Sequence, residues 1–338
     1  MGMKICFIGH KKHTQTRSSD FFLNEFRDED IDTYFIDESN YDIFTGIEKE
    51  AYDLAICWQY DFLAQAFLAR NIPTVVIPMY DGSFGYPRNH WKLLRGARIV
   101  NFSWWLHALC MKSQLDTMHV TYYPNPSDYD QVDFDNGLNG FLWQRRPGEV
   151  NWRTVVADVS DGQLDKLHLH TAMDDSDAIN YLPTKIEKDH YNITTSEWFE
   201  RKGDLNRVVD QSNIFFAPRR AEGIGMALLE AMSRGMMCIV HDEPTHNEYI
   251  ANWINGVLYY AHHPVRIDLS NAEKMGRRAR QCVFEGHHQW VQNIPSMKDF
   301  ILSTPKPNTK IIKGFEPRRC LAREFFIDKN YTKKLTRL

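Results

Sequence analysis

Short apolar runs recur along the chain, separated by stretches in which apolar positions return every three or four residues. The runs at 4–8, 33–36, 54–58, 74–78, 99–102 and 120–123 read as strands, with helical patterns such as 19–26 and 61–70 between them. Pro124-Asn125-Pro126 interrupts the series, and the acidic, Asn- and Gly-containing stretch 127–140 reads as a linker. A second series follows. Its strands are expected at 141–144, 166–171, 214–217, 237–241 and 257–260. Its helices are expected at 150–159, 196–211, 224–234, 245–251, 271–285 and about 288–302. Such alternation predicts an α/β chain of parallel sheets covered on both faces. Two Rossmann-like domains are expected, at 1–135 and 136–286. A terminal helix and basic tail over 287–338 would pack back on the first. In sheets of this kind ligands bind beyond the carboxyl ends of the strands.

Composition narrows the class. The 338 residues are 43% hydrophobic and 25% charged, which excludes a disordered chain and suffices for two cores. A net charge of −4 gives no general attraction for nucleic acid. That charge is uneven: residues 304–338 hold ten Lys/Arg against three acids, so this tail is +7 and the rest of the chain −11. A basic end on an acidic body is a candidate contact for an anionic membrane or acceptor, or a solvated end packed on the body. The six cysteines form no CxxC pair and four lie in apolar runs, as expected of reduced thiols in a cytoplasmic protein. No apolar run reaches the ~18 residues of a membrane span.

The most informative segment runs from Ile214 to Val240 and reads strand, tight loop, helix, Gly stop, strand. Gly223 and Gly225 open a helix that is apolar on nearly every side, and Glu230 inside it is costly without a partner. Glu222 precedes the helix, roughly 9–12 Å from Glu230 along its axis at 1.5 Å per residue. Free amides and the positive end of the helix dipole lie between them. That is a cradle for a diphosphate with a hydroxyl-binding carboxylate on each side, the layout of a nucleotide-sugar. The plainer alternative is an ordinary βαβ unit with Glu222 solvated and Glu230 paired to a nearby Arg.

The segment resembles the E-x7-E signature of retaining GT-B glycosyltransferases of the GT4-like group, matching at Pro218, Glu222, Gly223, Gly225, Leu229, Glu230, Ala231, Met232 and Gly235. Pro124-Asn125, Asn247-Glu248, Asn255-Gly256-Val257-Leu258 and Met275–Arg280 resemble further family features. The resemblance covers about residues 1–303 and is strong over 214–260. It implies the GT-B fold, two Rossmann-like domains facing each other across a central cleft, with a nucleotide-sugar as co-substrate and neither cofactor nor metal. It also implies that Glu222 contacts the transferred sugar and Glu230 binds the ribose. The amides of Gly223, Ile224, Gly225 and Met226 would meet the sugar or phosphates. Arg145 or Arg146 would clamp the diphosphate. The family's following Lys is missing, and Arg153, Arg219 and Arg220 are candidates to replace it.

The first domain departs further. Its first loop, residues 9–19, has one Gly and several cations, and would grip an anion or simply be solvated. Tyr80, Asp81 and Tyr86, after the fourth strand, are acceptor-side candidates, with Asp81 orienting a hydroxyl. Metal roles for Asp175/Asp177 and for the His262-His263 and His287-His288 pairs are discounted. His168 and His170 are expected on a solvated strand face, and Trp104, Trp105, Trp143 and Trp152 in the core. The expected activity is transfer of a sugar, from a UDP-sugar above other donors, to a glycan or lipid-linked glycan in surface polysaccharide biosynthesis. The alternatives are a nucleotide-sugar epimerase or hydrolase on the same fold, or a degenerate module that binds without turnover.

Overall fold

Six strands build the first sheet: β1 (Lys4–His10), β2 (Asp30–Ile36), β3 (Leu54–Trp58), β4 (Thr74–Ile77), β5 (Arg98–Asn101) and β6 (Asp116–His119). The computed structural model describes residues 2–37, 39–40, 42–47, 49–159, 162–173, 179–260 and 266–307. The strand order is β2-β1-β3-β4-β5-β6 and every pair is parallel. β3 and β4 are buried along their whole length, as strands covered on both faces must be.

The second sheet holds β7 (Asn139–Trp143), β8 (Lys166–His170), β9 (Ile193–Ser196), β10 (Ile214–Phe216), β11 (Met237–His241) and β12 (Val257–Tyr259). Its order is β12-β11-β10-β7-β8-β9, again all parallel. The chain steps one way from β7 to β8 and β9, then crosses back to β10 on the other side of β7. The strand order thus reverses at the β7–β10 pair, and in sheets of this kind ligands bind beyond the carboxyl ends of the strands at such a point. Trp152, Leu142, Phe216 and Ile239 are among the residues of the core beneath it.

The chain divides into two units, one taking in the residues up to Thr121 and those from Trp290, the other Tyr122–Gln289. The helix Ala272–Leu302 supplies residues to both. Its last turns pack on the first unit: Trp290 meets Phe21 edge to face at 5.9 Å, Lys298 lies over Phe26 at 5.5 Å, and Arg98 lies over Phe300 at 4.5 Å.

Several expectations are corrected. Residues 120–123 are not a strand; the edge position belongs to β6, whose Arg98↔Asp116 register starts four residues earlier. The two helices expected at 271–285 and 288–302 are one, with Pro295 inside it. Gly286 lies within this helix: a Cβ there would run into the Tyr123 ring, so the glycine serves close approach. His168 and His170 do share a face, but it is packed. His168 stacks on Phe141 and His170 on Phe199, and both hydrogen-bond Ser196 Oγ, at 2.8 and 2.9 Å. Burial pushes both imidazoles down to a pKa of about 4. Trp152 is in the core, and Trp143 is half-buried with Nε1 donating to the Ala172 carbonyl at 2.6 Å. Trp104 and Trp105 are not in the core: they are 52% and 58% exposed. Cys6, Cys57, Cys110 and Cys238 are buried free thiols and Cys282 is half-buried. Asp175/Asp177, His262-His263, Cys320 and the tail beyond residue 307 lie outside the described residues. No helix among the described residues is long and apolar enough to cross a membrane.

Candidate functional site

In the second unit β10 ends at Phe216, and residues 217–225 form the loop before the helix Met226–Ser233. Gly225 caps that helix at φ +84°, a left-handed conformation that side-chain-bearing residues adopt at a cost of about 1–2 kcal/mol. The helix buries Leu228, Leu229, Ala231 and Met232, which fixes the direction of its free amino-terminal amides.

Glu222 is not solvated. Arg219 Nη1 donates to Glu222 Oε2 at 3.2 Å, with the two side chains 7% and 12% exposed. The Glu222 amide donates to the Pro244 carbonyl at 3.2 Å, tying this loop to the one after β11. His246 is fully buried near Arg219, and burial holds its pKa down at about 4. Glu230 accepts from Lys202 Nζ at 2.8 Å and stands 4.0 Å from Arg234 Nη1. Arg234 is itself held by Asp210 Oδ1 at 2.7 Å and lies over the Tyr129 ring. Neither carboxylate is left bare in its helix-end setting.

The loop after β7 lies beside this one because β7 pairs with β10. Glu149 joins the two, accepting from Arg146 Nη1 and from the Arg220 amide, each at 3.3 Å. Arg145 lies over the Trp143 ring at 5.0 Å. Arg153 is turned to Glu187 at 3.2 Å and to the Trp152 ring. The structure thus gathers Arg146, Arg219, Arg220, Glu222 and the Gly223–Met226 amides in the two loops that leave the neighbouring strands β7 and β10. Arg219 is the residue that sequence reasoning undervalued. The signal was present in an arginine directly after Pro218, three residues before Glu222.

In the first unit the segment after β1 is exposed at Lys11, Lys12 and 14–17 and is anchored by His13. His13 is buried and hydrogen-bonded with Gln59 Oε1 at 2.5 Å and with Ser18 Oγ. Burial lowers its pKa, while the hydrogen bond to Gln59 and the charge of Asp81 push the other way. Asp81 sits in the short helix Tyr80–Ser83 after β4, half-buried. Tyr80 stacks on Phe84 and Tyr86 on His90, with centroids 5.0 and 4.1 Å apart. Asp61 was missed: it is fully buried, accepts from Ser83 Oγ at 2.7 Å and stands 3.4 Å from His90 Nε2. Nothing in a stretch that reads as a helix start distinguishes it from a surface acid. No group of three or more His, Cys, Asp or Glu suited to a metal occurs among the described residues.

Chemically, the second unit brings helix amides and guanidinium groups together with the carboxylates of Glu222 and Glu230. Residues 185–268 match the family model described as Glycosyl transferases group 1. No curated protein matches the sequence at a significant level. Solved structures do resemble the fold. Sucrose-phosphate synthase from Thermosynechococcus elongatus superposes with a TM-score of 0.63 at 13% identity, covering 88% of this chain and 99% of that one. HepE from Anabaena, solved in complex with UDP and glucose, gives 0.57 at 12% identity, covering 87% and 100%. The lipopolysaccharide outer core galactosyltransferase WaaB gives 0.53 at 14% identity, covering 96% and 100%. The chain is thus built on the GT-B glycosyltransferase fold and carries a glycosyl transferases group 1 sequence over residues 185–268.

Proposed function

We propose that this chain is a retaining, metal-independent hexosyltransferase that moves a sugar from a UDP-sugar to a hydroxyl of a glycan or lipid-linked glycan. Its setting is surface polysaccharide biosynthesis in the cytoplasm. The observation that carries the reading is Glu222 and Glu230 flanking the amino-terminal amides of Met226–Ser233, with arginines from two neighbouring loops. The group 1 match over this segment and the UDP found in HepE support it.

In this reading Glu230 takes the ribose hydroxyls and Glu222 the transferred sugar. The amides of Gly223 to Met226 and the guanidinium groups of Arg145 or Arg146 and of Arg219 take the diphosphate. As the bond from the anomeric carbon to the diphosphate oxygen breaks, that cationic set stabilises the departing charge. The acceptor oxygen bonds to the anomeric carbon on the same face, and its proton passes to a leaving phosphate oxygen. Asp81 orients the acceptor hydroxyl. The test is nucleotide release from UDP-, GDP-, ADP- and TDP-sugars with EDTA present and no acceptor, followed by NMR of the glycoside that the active donor forms with an acceptor hydroxyl. Slow release from a UDP-sugar and a retained anomer are expected. Release from no donor, with no thermal shift by any nucleotide, overturns the reading.

A further inference from the structure

Residues 82–115 contain no acid at all, in 34 consecutive positions of a chain whose net charge is −4. They carry five cations: Arg88, Lys92, Arg95, Arg98 and Lys112. Arg98 is engaged by Asp116 and by the Phe300 ring. The other four are exposed, and none joins an ion pair among the described residues.

The same segment exposes large apolar side chains. The helix Trp104–Lys112 buries Leu106 and Cys110 against the sheet and turns Trp104, Trp105 and Met111 outward. A helix so apolar on its outer side is usually covered by something. The preceding helix, Arg88–Leu93, buries Trp91 and leaves Leu93 exposed, as Phe84 is before it. Topology joins the two faces. The strands β4, β5 and β6 follow one another across the sheet, so right-handed crossovers put both helices on one side of it. Their outward surfaces are neighbours, and each carries cations beside apolar groups.

We infer that this face docks on an anionic lipid bilayer. Tryptophan is the side chain that sits at the headgroup level, with its ring among acyl chains and its N–H among polar groups. Arg88, Lys92, Arg95 and Lys112 supply the attraction to anionic headgroups, which acts over about a Debye length. The absence of any acid over the whole segment removes the repulsion that the acidic body would otherwise offer. The face lies wholly within described residues. It would bring the protein to the surface where lipid-linked molecules reside.

The experiment is flotation of the full chain with vesicles of phosphatidylcholine alone or with about one third phosphatidylglycerol. The unaltered chain is expected to float with the anionic vesicles and much less with the neutral ones. Lys92→Glu with Arg95→Glu should weaken the partition at least ~25-fold, at about fivefold per charge lost. Trp104→Ser with Trp105→Ser should weaken it at least ~tenfold through lost apolar burial. All four sites are exposed, so both variants should melt as the parent does. Binding left unchanged by both variants, or no flotation of the parent, overturns the inference. So does a lipid-free dimer that the tryptophan variant dissolves, which would assign the face to a second copy of the chain.

Discussion

Arg219 holds Glu222 through one hydrogen bond of 3.2 Å inside the loop that precedes the helix Met226–Ser233, both side chains nearly out of solvent. The pair fixes the carboxylate beside the helix amides and places a guanidinium in the same loop. Removing one partner of such a pair leaves an uncompensated buried charge, at a cost of about 3–5 kcal/mol. Arg219→Met and Glu222→Gln should each destabilise the protein, and the double variant should recover part of the loss. Urea melts of the four proteins give the coupling, expected at about 1–3 kcal/mol. Strict additivity would remove the pairing from the account. Glu222→Gln should also lose turnover while keeping UDP affinity within about threefold, because in the proposed reading its contact is with the sugar.

Glu230 is engaged differently, by an exposed lysine. An ion pair of that kind is worth about 0–1 kcal/mol. In the proposed reading a ribose hydroxyl arriving at Glu230 Oε1 takes the place of Lys202 Nζ, now 2.8 Å away. Lys202→Ala should therefore tighten UDP binding, by no more than about fivefold. Glu230→Ala should weaken it at least ~tenfold through two lost charge-assisted hydrogen bonds. Calorimetric titration with UDP separates the two. A lysine variant that binds UDP more weakly would make Lys202 a phosphate ligand instead of a competitor.

What the sequence disclosed, and what it hid, follows from which side chains reach the core. β3 was legible because Leu54 to Trp58 are all buried and apolar. β9 was not, because Ile193-Thr-Thr-Ser196 is a sheet edge with a single buried residue. The apolar run 120–123 looked like a strand because Val120 and Tyr122 are buried, yet they pack outside the ladder while the polar Asp116–His119 pairs. In the site, Glu222 and Glu230 stood out against an apolar helix. Asp61 could not, since its burial beside Ser83 and His90 depends on chain segments some twenty to thirty residues away. Exposure of Trp104 and Trp105 is likewise a tertiary fact that a run of apolar letters does not encode.

The continuous helix Ala272–Leu302 makes a stability prediction at Gly286. An added Cβ would meet Cδ2, Cε2 and Cγ of Tyr123 between 2.3 and 2.6 Å, and that ring is itself packed edge to face on Tyr249 at 5.2 Å. Gly286→Ala should cost about 1–3 kcal/mol by overpacking. Gly46, in the helix Asp42–Ile47, has nothing within 4 Å of an added Cβ, so Gly46→Ala should stabilise by about 0.5–1 kcal/mol. Thermal melts check both. A neutral Gly286→Ala would mean that the Tyr123 ring moves aside freely.

Acid should unfold the second unit through its buried histidines. His168, His170 and His246 are held to a pKa of about 4 by burial, and an unfolded histidine titrates near about 6.5. Below about pH 6.5 the unfolded chain takes up protons that the native state refuses until about pH 4. Stability is therefore full above about pH 6.5 and falls as the pH drops through that window. A shift of this size is worth up to about 3 kcal/mol for fully buried His246. Asp158 acts in the opposite sense. Burial raises its carboxyl to about 6, and burial beside Asp242 raises that of Glu243, so both gain stability as the pH falls, but they are two groups against three. Urea midpoints measured between pH 7.5 and 4.5 should decline steadily. The double change His168→Gln and His170→Gln should flatten the slope, even if it lowers stability at pH 7.5 by loosening the bonds to Ser196. An unaltered slope would place the acid sensitivity in carboxylates elsewhere in the chain.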